Sequence, residues 1–203
     1  MHLDDLANTS GEWLKGSGPE SDIVISSRIR LARNLADFPF ISRTIESDRA
    51  EVGQIIHGRI EELPARNKVS GETLYVNVGK LPDVDRQFLV ERQLISRELA
   101  ESDGARAVVI DHSERYSVMI NEEDHLRIQV MQSGLNLLIA WQQINELDDL
   151  IEDRVTYAYS EQLGYLTACP TNVGTGVRVS VMLHLPALVI TRQIEKVFRS
   201  LQK

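Results

Sequence analysis

Short runs of apolar and β-branched residues in the middle of the chain predict a group of neighbouring strands. Residues 107–110, 116–120 and 126–131 are such runs, and they follow one another at short intervals. Connections this short join antiparallel strands, so the three runs are expected to be antiparallel neighbours. Further strands are predicted at the following positions: 23–25, 74–78, 155–160 and 177–183.

Helical spacing of apolar residues predicts helices before and after these strands. They cover residues 46–62, 84–100, 134–150 and 185–201, after a helical or irregular lead-in over residues 1–22. Asp83 is placed to cap the second helix, Gly134 opens the third, and the acidic end of the third is interpreted as a solvated face. Strands grouped between helices favour an α+β fold, an antiparallel sheet flanked by helices. Since no repeat or linker interrupts residues 1–203, a single domain is expected.

Composition excludes several classes of function. With 203 residues, 42% of them hydrophobic, the chain can bury a sizeable core. It lacks an apolar run of roughly 20 residues and a signal-peptide pattern, so a cytoplasmic location without membrane contact is expected. The single cysteine excludes an internal disulfide, and the five histidines lack metal-binding spacing, so no protein-held metal is expected. The net charge of −8 argues against nucleic-acid binding but leaves room for a local anion site.

Four arginines lie on predicted strands in positions that place them on one side of the sheet. Residues two apart on a strand share a face, so Arg28 and Arg30 project together, and Arg127 and Arg178 each lie opposite the apolar residues of their own strands. Guanidinium groups match phosphate oxygens and stay charged at neutral pH. A solvent-facing sheet surface is the alternative for any one arginine. This alternative is weaker for the set of four, because unpaired like charges on neighbouring strands repel unless an anion or carboxylates lie between them.

The sequence Asn-Glu-Glu-Asp-His at residues 121–125, the acidic turn, comes directly before the Arg127 strand. If the extended register continues backward from Arg127, Glu123 and His125 share the arginine face, and Glu122 and Asp124 point away. A carboxylate there can hold a guanidinium bidentately or accept its proton. The alternative is an acidic connection between two strands without a chemical role.

A polar loop with two glycines, residues 169–176, leads into the Arg178 strand; it is called here the cysteine loop. It is not a P-loop, because no Gly-Lys-Ser/Thr follows. A cysteine near cationic groups can act as a thiolate, but a single cysteine is more often a small buried apolar residue. Both interpretations of Cys169 stay open at this point.

Taken in order, three segments resemble the ATP:guanidino phosphotransferase, or phosphagen kinase, superfamily. They are SSRIRLARN (26–34), NEEDHLRIQ (121–129) and CPTNVGTGVRVSVMLHLPAL (169–188). The similarity is strongest to the bacterial protein-arginine kinases, since the first segment begins near residue 26 without a preceding helical domain. The resemblance implies the phosphagen kinase catalytic fold and ATP-dependent phosphorylation of arginine residues in proteins. It also implies an activator protein and the protein-degradation machinery as partners.

The resemblance assigns roles to individual residues. It implies that Arg28, Arg30, Arg127 and Arg178 hold the ATP phosphates, with Mg²⁺ bridging phosphate oxygens. Glu123 would orient the acceptor guanidinium, and the Cys169 thiol would lie close to it. Further nucleotide-binding residues implied by the resemblance are Ser26, Ser27, Ile29, Gln93, Val179, Ser180, Val181 and Met182.

Two departures from the family pattern affect these expectations. The family's later Arg-Gly-x-x-Gly-Glu loop, with a further phosphate-binding arginine and a second carboxylate, is absent from the 203 residues, so the catalytic domain is expected to be incomplete at its C-terminus. Gln93 stands where bacterial members carry a nucleotide-contacting histidine, which predicts weaker nucleotide binding. The alternative function is therefore a catalytically inactive nucleotide- or phosphoprotein-binding module derived from such a kinase.

Overall fold

The computed structural model describes residues 3, 6, 8, 10–62 and 73–202, and within them an antiparallel six-stranded sheet forms the centre of the fold. Along the chain the strands are β1 (Val24–Arg33), β2 (Thr73–Asn77), β3 (Ala107–Asp111), β4 (Tyr116–Ile120), β5 (Leu126–Ser133), β6 (Tyr159–Ser160), β7 (Gly164–Tyr165) and β8 (Val177–Leu183). The order across the sheet is β2-β3-β4-β5-β1-β8, while β6 and β7 pair separately. The first long strand thus lies between two strands that come much later in the sequence.

The helices of the described residues connect and cover these strands. They are α1 (Glu46–Glu61), α2 (Asp83–Glu91), α3 (Arg97–Glu101), α4 (Leu137–Glu152), α5 (Pro186–Ile190) and α6 (Ile194–Leu201), with short 3-10 turns at Glu12–Leu14, Ile41–Arg43 and Val78–Lys80. Within the described part of the chain, none of the helices has the length and apolar character needed to span a membrane. The predicted α+β class, with an antiparallel sheet flanked by helices, is confirmed.

Two hydrophobic clusters lie on opposite faces of the sheet. On one face, α1 and α4 pack against β1, β4 and β5 through residues such as Ile56, Ile144 and Ile128. On the other face, α2 and α3 cover only the β2–β4 half, where Leu89 and Leu99 join Val108 and other buried residues. Helices α2 and α3 do not extend over the β5–β1–β8 half of this second face, and this is the half that carries the arginines.

The strand predictions are confirmed in the centre of the sheet and wrong for one segment. Strands β3, β4 and β5 pair in sequence order, with Ala107 opposite Ile120 and Ile120 opposite Leu126. The predicted strand at 155–160 is wrong over most of its length, because only Tyr159–Ser160 is a strand. Residues 156 and 158 instead hydrogen-bond to the backbone at residues 36 and 34, just after β1.

Two helices predicted as continuous are broken, each at a residue with positive φ. The segment 84–100 divides into α2 and α3 around Gln93 (φ 60°), and 185–201 divides into α5 and α6 around Arg192 (φ 56°). Asp83 is the first residue of α2 rather than its cap, and the Ser96 hydroxyl caps α3 by accepting from Leu99 N–H at 3.1 Å. Apolar spacing alone does not show such breaks, because both halves keep the helical pattern.

The boundaries of the remaining predictions shift for identifiable reasons. Gly134 (φ 67°) lies in a turn before α4, where a Cβ atom would come within 2.5 Å of the Pro19 carbonyl oxygen. The helix therefore begins three residues later than predicted. The lead-in over residues 1–22 contains the 3-10 turn at Glu12–Leu14, but residues 1, 2, 4, 5, 7 and 9 lie outside the described residues, so the prediction stands for them untested.

Candidate active site

The strand register brings the four arginines together on one face, as the alternation predicted. Arg30 of β1 lies opposite Gln129 on β5 and opposite Arg178 on β8, and Arg28 lies opposite Ser180. Arg127 is two residues before Gln129 and therefore shares the same face. This surface, formed by Arg28, Arg30, Arg127 and Arg178, is called here the arginine face.

The charges of the arginine face are only partly balanced by other side chains. Burial lowers the pKa of Arg30 to about 10, with further lowering by Arg28, Arg127 and Arg178 against an opposing effect of Glu122. Burial, Arg178 and Arg127 also lower the pKa of Arg28. Among the ion pairs of the described residues, Arg127 pairs with Glu122 and Glu123, and none involves Arg28, Arg30 or Arg178. An anion with several oxygens would relieve this repulsion, which suits the phosphates of a nucleotide.

A cavity of about 500 Å³ lies beside the arginine face, under the break between α2 and α3. Gln93, at this break, accepts a hydrogen bond from Arg28 Nη1 at 3.2 Å through its side chain and one from Gln129 Nε2 at 2.5 Å through its carbonyl. The predicted nucleotide residue Gln93 is thus in direct contact with the arginine face. The cavity wall also includes residues that the sequence had not indicated: Gln87, Val90, Glu91, Ile95, Ser96, Arg97, Glu98 and Met119.

Several residues assigned to the nucleotide by resemblance have side chains directed elsewhere. Ile29 and Val179 lie opposite each other on the face away from the arginines, and Val181 follows the same alternation. The Ser27 hydroxyl is buried, donates to the Gly134 carbonyl at 2.7 Å and accepts from Asn136 N–H at 3.0 Å. Such residues can offer a nucleotide only their backbone groups. Ser26, Ser180 and Met182 share the arginine face.

The acidic turn does not continue the extended register, so the facing predicted for two of its residues, His125 and Glu122, is wrong. Asn121 has positive φ (59°), which reverses the chain before β5. His125 is fully buried away from the arginine face, where its Nδ1 accepts from Leu35 N–H at 3.0 Å and its Nε2 lies 3.1 Å from the Pro39 carbonyl oxygen. Glu122 was expected to point away, yet its buried carboxylate accepts from Arg127 Nη1 and from the Ser96 hydroxyl.

Glu123 lies at the edge of the arginine face and remains accessible. Its side chain is 45% exposed, and its Oε2 is 3.5 Å from Arg127 Nη2. Burial and the neighbouring charge of Asp124 raise the pKa of Glu123, while Arg127 opposes the rise. A partly exposed carboxylate with a raised pKa, next to a cationic surface, can receive a guanidinium and its proton.

The cysteine loop approaches the acidic turn through the residue before Cys169. Ala168 N–H donates to Asp124 Oδ1 at 2.7 Å, so Glu123 and Cys169 flank a direct contact between the two segments. Cys169 itself is partly exposed, with its Sγ 3.0 Å from the Thr171 hydroxyl. The two predicted catalytic residues therefore lie next to the two ends of one hydrogen bond that joins their segments.

A buried ion pair that the sequence interpretation missed holds the other end of the cysteine loop. Arg33 donates to Asp148 Oδ2 at 2.7 Å and to the Thr175 carbonyl at 3.0 Å, and its guanidinium lies 3.7 Å from the centre of the Tyr165 ring. The acidic end of α4 was interpreted as solvated, which is wrong for Asp148. The burial of Asp148 could have been predicted from its position four residues after the apolar Ile144, because residues four apart lie on the same face of a helix.

The donor set of this region fits phosphate better than a bare metal ion. Within the described residues, no group of three or more histidine, cysteine, aspartate or glutamate side chains could hold a metal. The arginine face instead offers guanidinium donors, which bind phosphate oxygens. A Mg²⁺ ion here would therefore be held through the phosphates of a nucleotide.

Comparison with known sequences places the chain among guanidino phosphotransferases. The family model of the ATP:guanido phosphotransferase C-terminal catalytic domain matches residues 53–203. A protein-arginine kinase of Symbiobacterium thermophilum is 48% identical over 198 residues, covering 98% of this chain and 56% of that relative. One of Halothermothrix orenii is 46% identical over 205 residues, covering 100% of this chain and 57% of the relative. The chain thus spans little more than half the length of these relatives.

Solved structures of the same fold agree with the sequence comparison. A duplicated taurocyamine kinase from Schistosoma mansoni, with bound transition state analogue components, has a TM-score of 0.76 at 25% identity, over 93% of this chain and 28% of that one. A lombricine kinase has a TM-score of 0.73 at 24% identity, over 99% of this chain and 57% of that one. Since the family model covers well over half of the residues, the chain belongs to the ATP:guanido phosphotransferase family.

Proposed function

We propose that the function is ATP-dependent phosphoryl transfer to the guanidino group of arginine residues in proteins. The chain either carries out this reaction or forms the nucleotide-binding part of an enzyme that does. The observation that supports this most directly is that Glu123 lies beside Arg127 at the edge of the arginine face, while the hydrogen bond from Ala168 to Asp124 joins the segment of Cys169 to the turn that carries Glu123. Phosphate-binding groups and acceptor-binding groups then lie side by side, as a direct transfer between two bound substrates requires. The protein substrate is the finer part of the proposal, and it is supported by relatives named protein-arginine kinases.

On this proposal the arginine face binds the triphosphate. Arg28, Arg30, Arg127 and Arg178 supply charge-assisted hydrogen bonds to phosphate oxygens, and Gln93 lies where it can contact the nucleotide beside Arg28. Mg²⁺ supplies further charge neutralisation through the phosphates. As the transferred group moves, negative charge on its oxygens is stabilised by guanidinium groups that are already in place.

The acceptor side is formed by Glu123 and Cys169. A guanidinium is a poor nucleophile while protonated, and its ordinary pKa is so high that it stays protonated at neutral pH. Glu123 orients the acceptor guanidinium and accepts a proton as the nitrogen attacks the γ-phosphorus. The new N–P bond forms while the bond to the bridging oxygen breaks, and ADP leaves with that electron pair. Cys169 contacts the same guanidinium. Its segment is joined to the acidic turn by the hydrogen bond from Ala168 N–H to Asp124.

The test is phosphoarginine formation by the purified chain. The chain is incubated with Mg-ATP and a flexible arginine-containing protein, and products are identified by mass spectrometry under conditions that preserve acid-labile phosphate. Glu123→Gln and Cys169→Ala should lose transfer while keeping Mg-ATP affinity. Glu51→Gln, an exposed carboxylate on α1, is the matched control and should keep both.

Each outcome of this assay discriminates between the candidate functions. Transfer that both site variants lose supports the kinase proposal for the chain as given. A folded chain that binds Mg-ATP without forming phosphoarginine, under conditions in which a full-length relative is active, supports the alternative of a non-catalytic nucleotide-binding module. Transfer that survives Glu123→Gln removes Glu123 from the mechanism. A cytoplasmic location, an activator protein and a link to protein degradation remain predictions of the resemblance.

A further inference from the structure

We propose that Asp124 is a positioning residue, whose carboxylate ties the segment carrying Cys169 to the turn carrying Glu123. It would set the separation of the two groups that contact the acceptor guanidinium. The catalytic consequence rests on the proposed function, whereas the contact itself can be tested without it. Asp124 was expected to point away from the arginine face, and its carboxylate does so by contacting Asn34 and Ala168.

The carboxylate of Asp124 makes two short hydrogen bonds with one oxygen. Oδ1 accepts from Ala168 N–H at 2.7 Å and from Asn34 Nδ2 at 2.6 Å, and the residue is only 2% exposed. Hydrogen bonds to an ionised acceptor in a buried position are stronger than those between neutral groups. Among the hydrogen bonds of the described residues, the bond from Ala168 is the direct connection between segment 166–172 and the acidic turn.

Asn34 holds Asp124 in place and joins the same elements a second time. Its amide nitrogen also donates to the Leu166 carbonyl at 3.1 Å, and its Oδ1 accepts from His125 N–H at 2.9 Å. Asn34 is 1% exposed and directly follows the central strand β1, so it is fixed by the sheet. Asn34 and Asp124 thus form a clasp between β1, the acidic turn and the segment leading to Cys169.

Among the hydrogen bonds of the described residues, none links the cysteine loop itself to the acidic turn, so the clasp supplies this connection from just before the loop. The far end of the loop is held by Arg33, which donates to the Thr175 carbonyl at 3.0 Å. Near Cys169 the remaining hydrogen bonds are local: the Cys169 carbonyl accepts from the Thr167 hydroxyl at 2.8 Å and from Asn172 N–H at 3.0 Å. Local bonds shape the loop but do not determine its distance from Glu123. Releasing Asp124 should therefore let Cys169 move relative to Glu123.

The charge of Asp124 has a second effect, on Glu123. The ionisable groups around Glu123 are Asp124, Arg127, Glu122 and Glu98; burial and the three carboxylates raise its pKa, and Arg127 lowers it. Removing the negative charge of Asp124 should lower the pKa of Glu123. The ionised form of Glu123 would then persist to lower pH, so the acidic limb of a pH–rate profile should move to lower pH.

Two substitutions at Asp124 separate the clasp from the charge. Asp124→Ala removes the acceptor and the charge together. Asp124→Asn removes the charge but keeps an oxygen that can accept from Ala168 and Asn34. Asn34→Ala removes the second support while leaving Asp124 in place. Asp149→Ala, an exposed carboxylate on α4, is the matched control.

The first experiment measures the clasp without activity. Amide hydrogen exchange is followed at residues 166–169, and the rate of Cys169 alkylation by iodoacetamide is measured on the same samples. Exchange of the Ala168 amide should accelerate at least about tenfold in Asp124→Ala, as the loss of a charge-assisted hydrogen bond implies, and less in Asp124→Asn. Alkylation should change in parallel, and Asp149→Ala should match the parent in both. If Asp124→Ala fails to fold, the same acceleration is expected in Asn34→Ala.

The second experiment measures positioning through kinetics. Asp124→Ala should lower kcat with little change in the KM for Mg-ATP, and Asp124→Asn should recover most of kcat with the acidic limb shifted to lower pH. Unchanged exchange and alkylation in the alanine variants would overturn the clasp. A faster exchange with unchanged kcat would overturn the positioning role. A parent chain that forms no phosphoarginine contradicts the proposed function, while the exchange experiment still decides the contact.

Discussion

Arg30→Met is predicted to have opposite effects on stability and on nucleotide binding. Arg30 is half-buried among like charges, and burial together with these charges lowers its pKa from the ordinary value to about 10. A lowering of the pKa by this much means that folding disfavours the charged form of Arg30 by about 3 kcal/mol relative to the neutral form. Solvent screening at a half-exposed position reduces it to about 1–2 kcal/mol. Because the folded chain disfavours this charge at neutral pH, removing it should raise the free energy of unfolding of the nucleotide-free chain by that amount, with the methionine retaining the apolar stem.

The same substitution should weaken Mg-ATP binding about 10- to 100-fold, because a charge-assisted hydrogen bond to phosphate is lost. The assay is urea denaturation of the parent and variant, each with and without Mg-ATP, together with calorimetric titration. The parent should be stabilised by Mg-ATP more than the variant is, since ligand stabilisation follows the ratio of ligand concentration to Kd. The m-value should stay constant, which would show that the compactness of the states has not changed.

Arg59→Met on α1 is the matched control for this prediction. Arg59 is exposed and pairs with Glu62 at 3.0 Å, so its loss should change stability by less than about 0.5 kcal/mol and leave binding unchanged. A destabilised Arg30→Met chain would contradict the view that the arginine face is electrostatically strained without an anion. Unchanged Mg-ATP affinity would contradict the assignment of Arg30 to the phosphates.

Three further predictions concern buried groups and the nucleotide contact. Asp148→Ala should lower the free energy of unfolding, measured by urea denaturation, by about 3–5 kcal/mol, because it leaves the buried guanidinium of Arg33 without its ion-pair partner. Asp149→Ala, at the exposed neighbouring position, should lower it by less than about 0.5 kcal/mol. Equal losses in the two variants would show that the ion pair contributes nothing to stability. Gln93→His should tighten Mg-ATP binding severalfold by titration, and unchanged affinity would indicate that this position does not contact the nucleotide. Burial lowers the pKa of His125 below its ordinary 6.5, so stability should fall as pH falls below about 6.5, and His125→Gln should flatten this slope in thermal melts.

Comparing individual predictions with the structure shows which features follow from local sequence and which depend on tertiary contacts. The arginine face followed from alternation because the geometry of an extended strand fixes the direction of each side chain without reference to the rest of the fold. The same reasoning was wrong for His125, because Asn121 adopts a left-handed conformation that alternation does not indicate. The break at Gln93 is of the same kind, since the left-handed residue interrupts a helix whose apolar spacing continues on both sides.

By itself, the sequence determined the α+β class, the central antiparallel strands and the side of the sheet on which the arginines project, because these features depend on local spacing. It also determined the family, because specific motifs indicate it. Only the tertiary structure decided which distant segments meet. It placed β1 between β5 and β8, paired Arg33 with Asp148 and joined Asp124 to Ala168 and Asn34. The side-chain contacts of Arg33 and Asp124 link residues 44 to 115 positions apart, and nothing in the periodicity of either partner specifies the other. They form because buried polar groups must find hydrogen-bond partners once the sheet has brought the segments together.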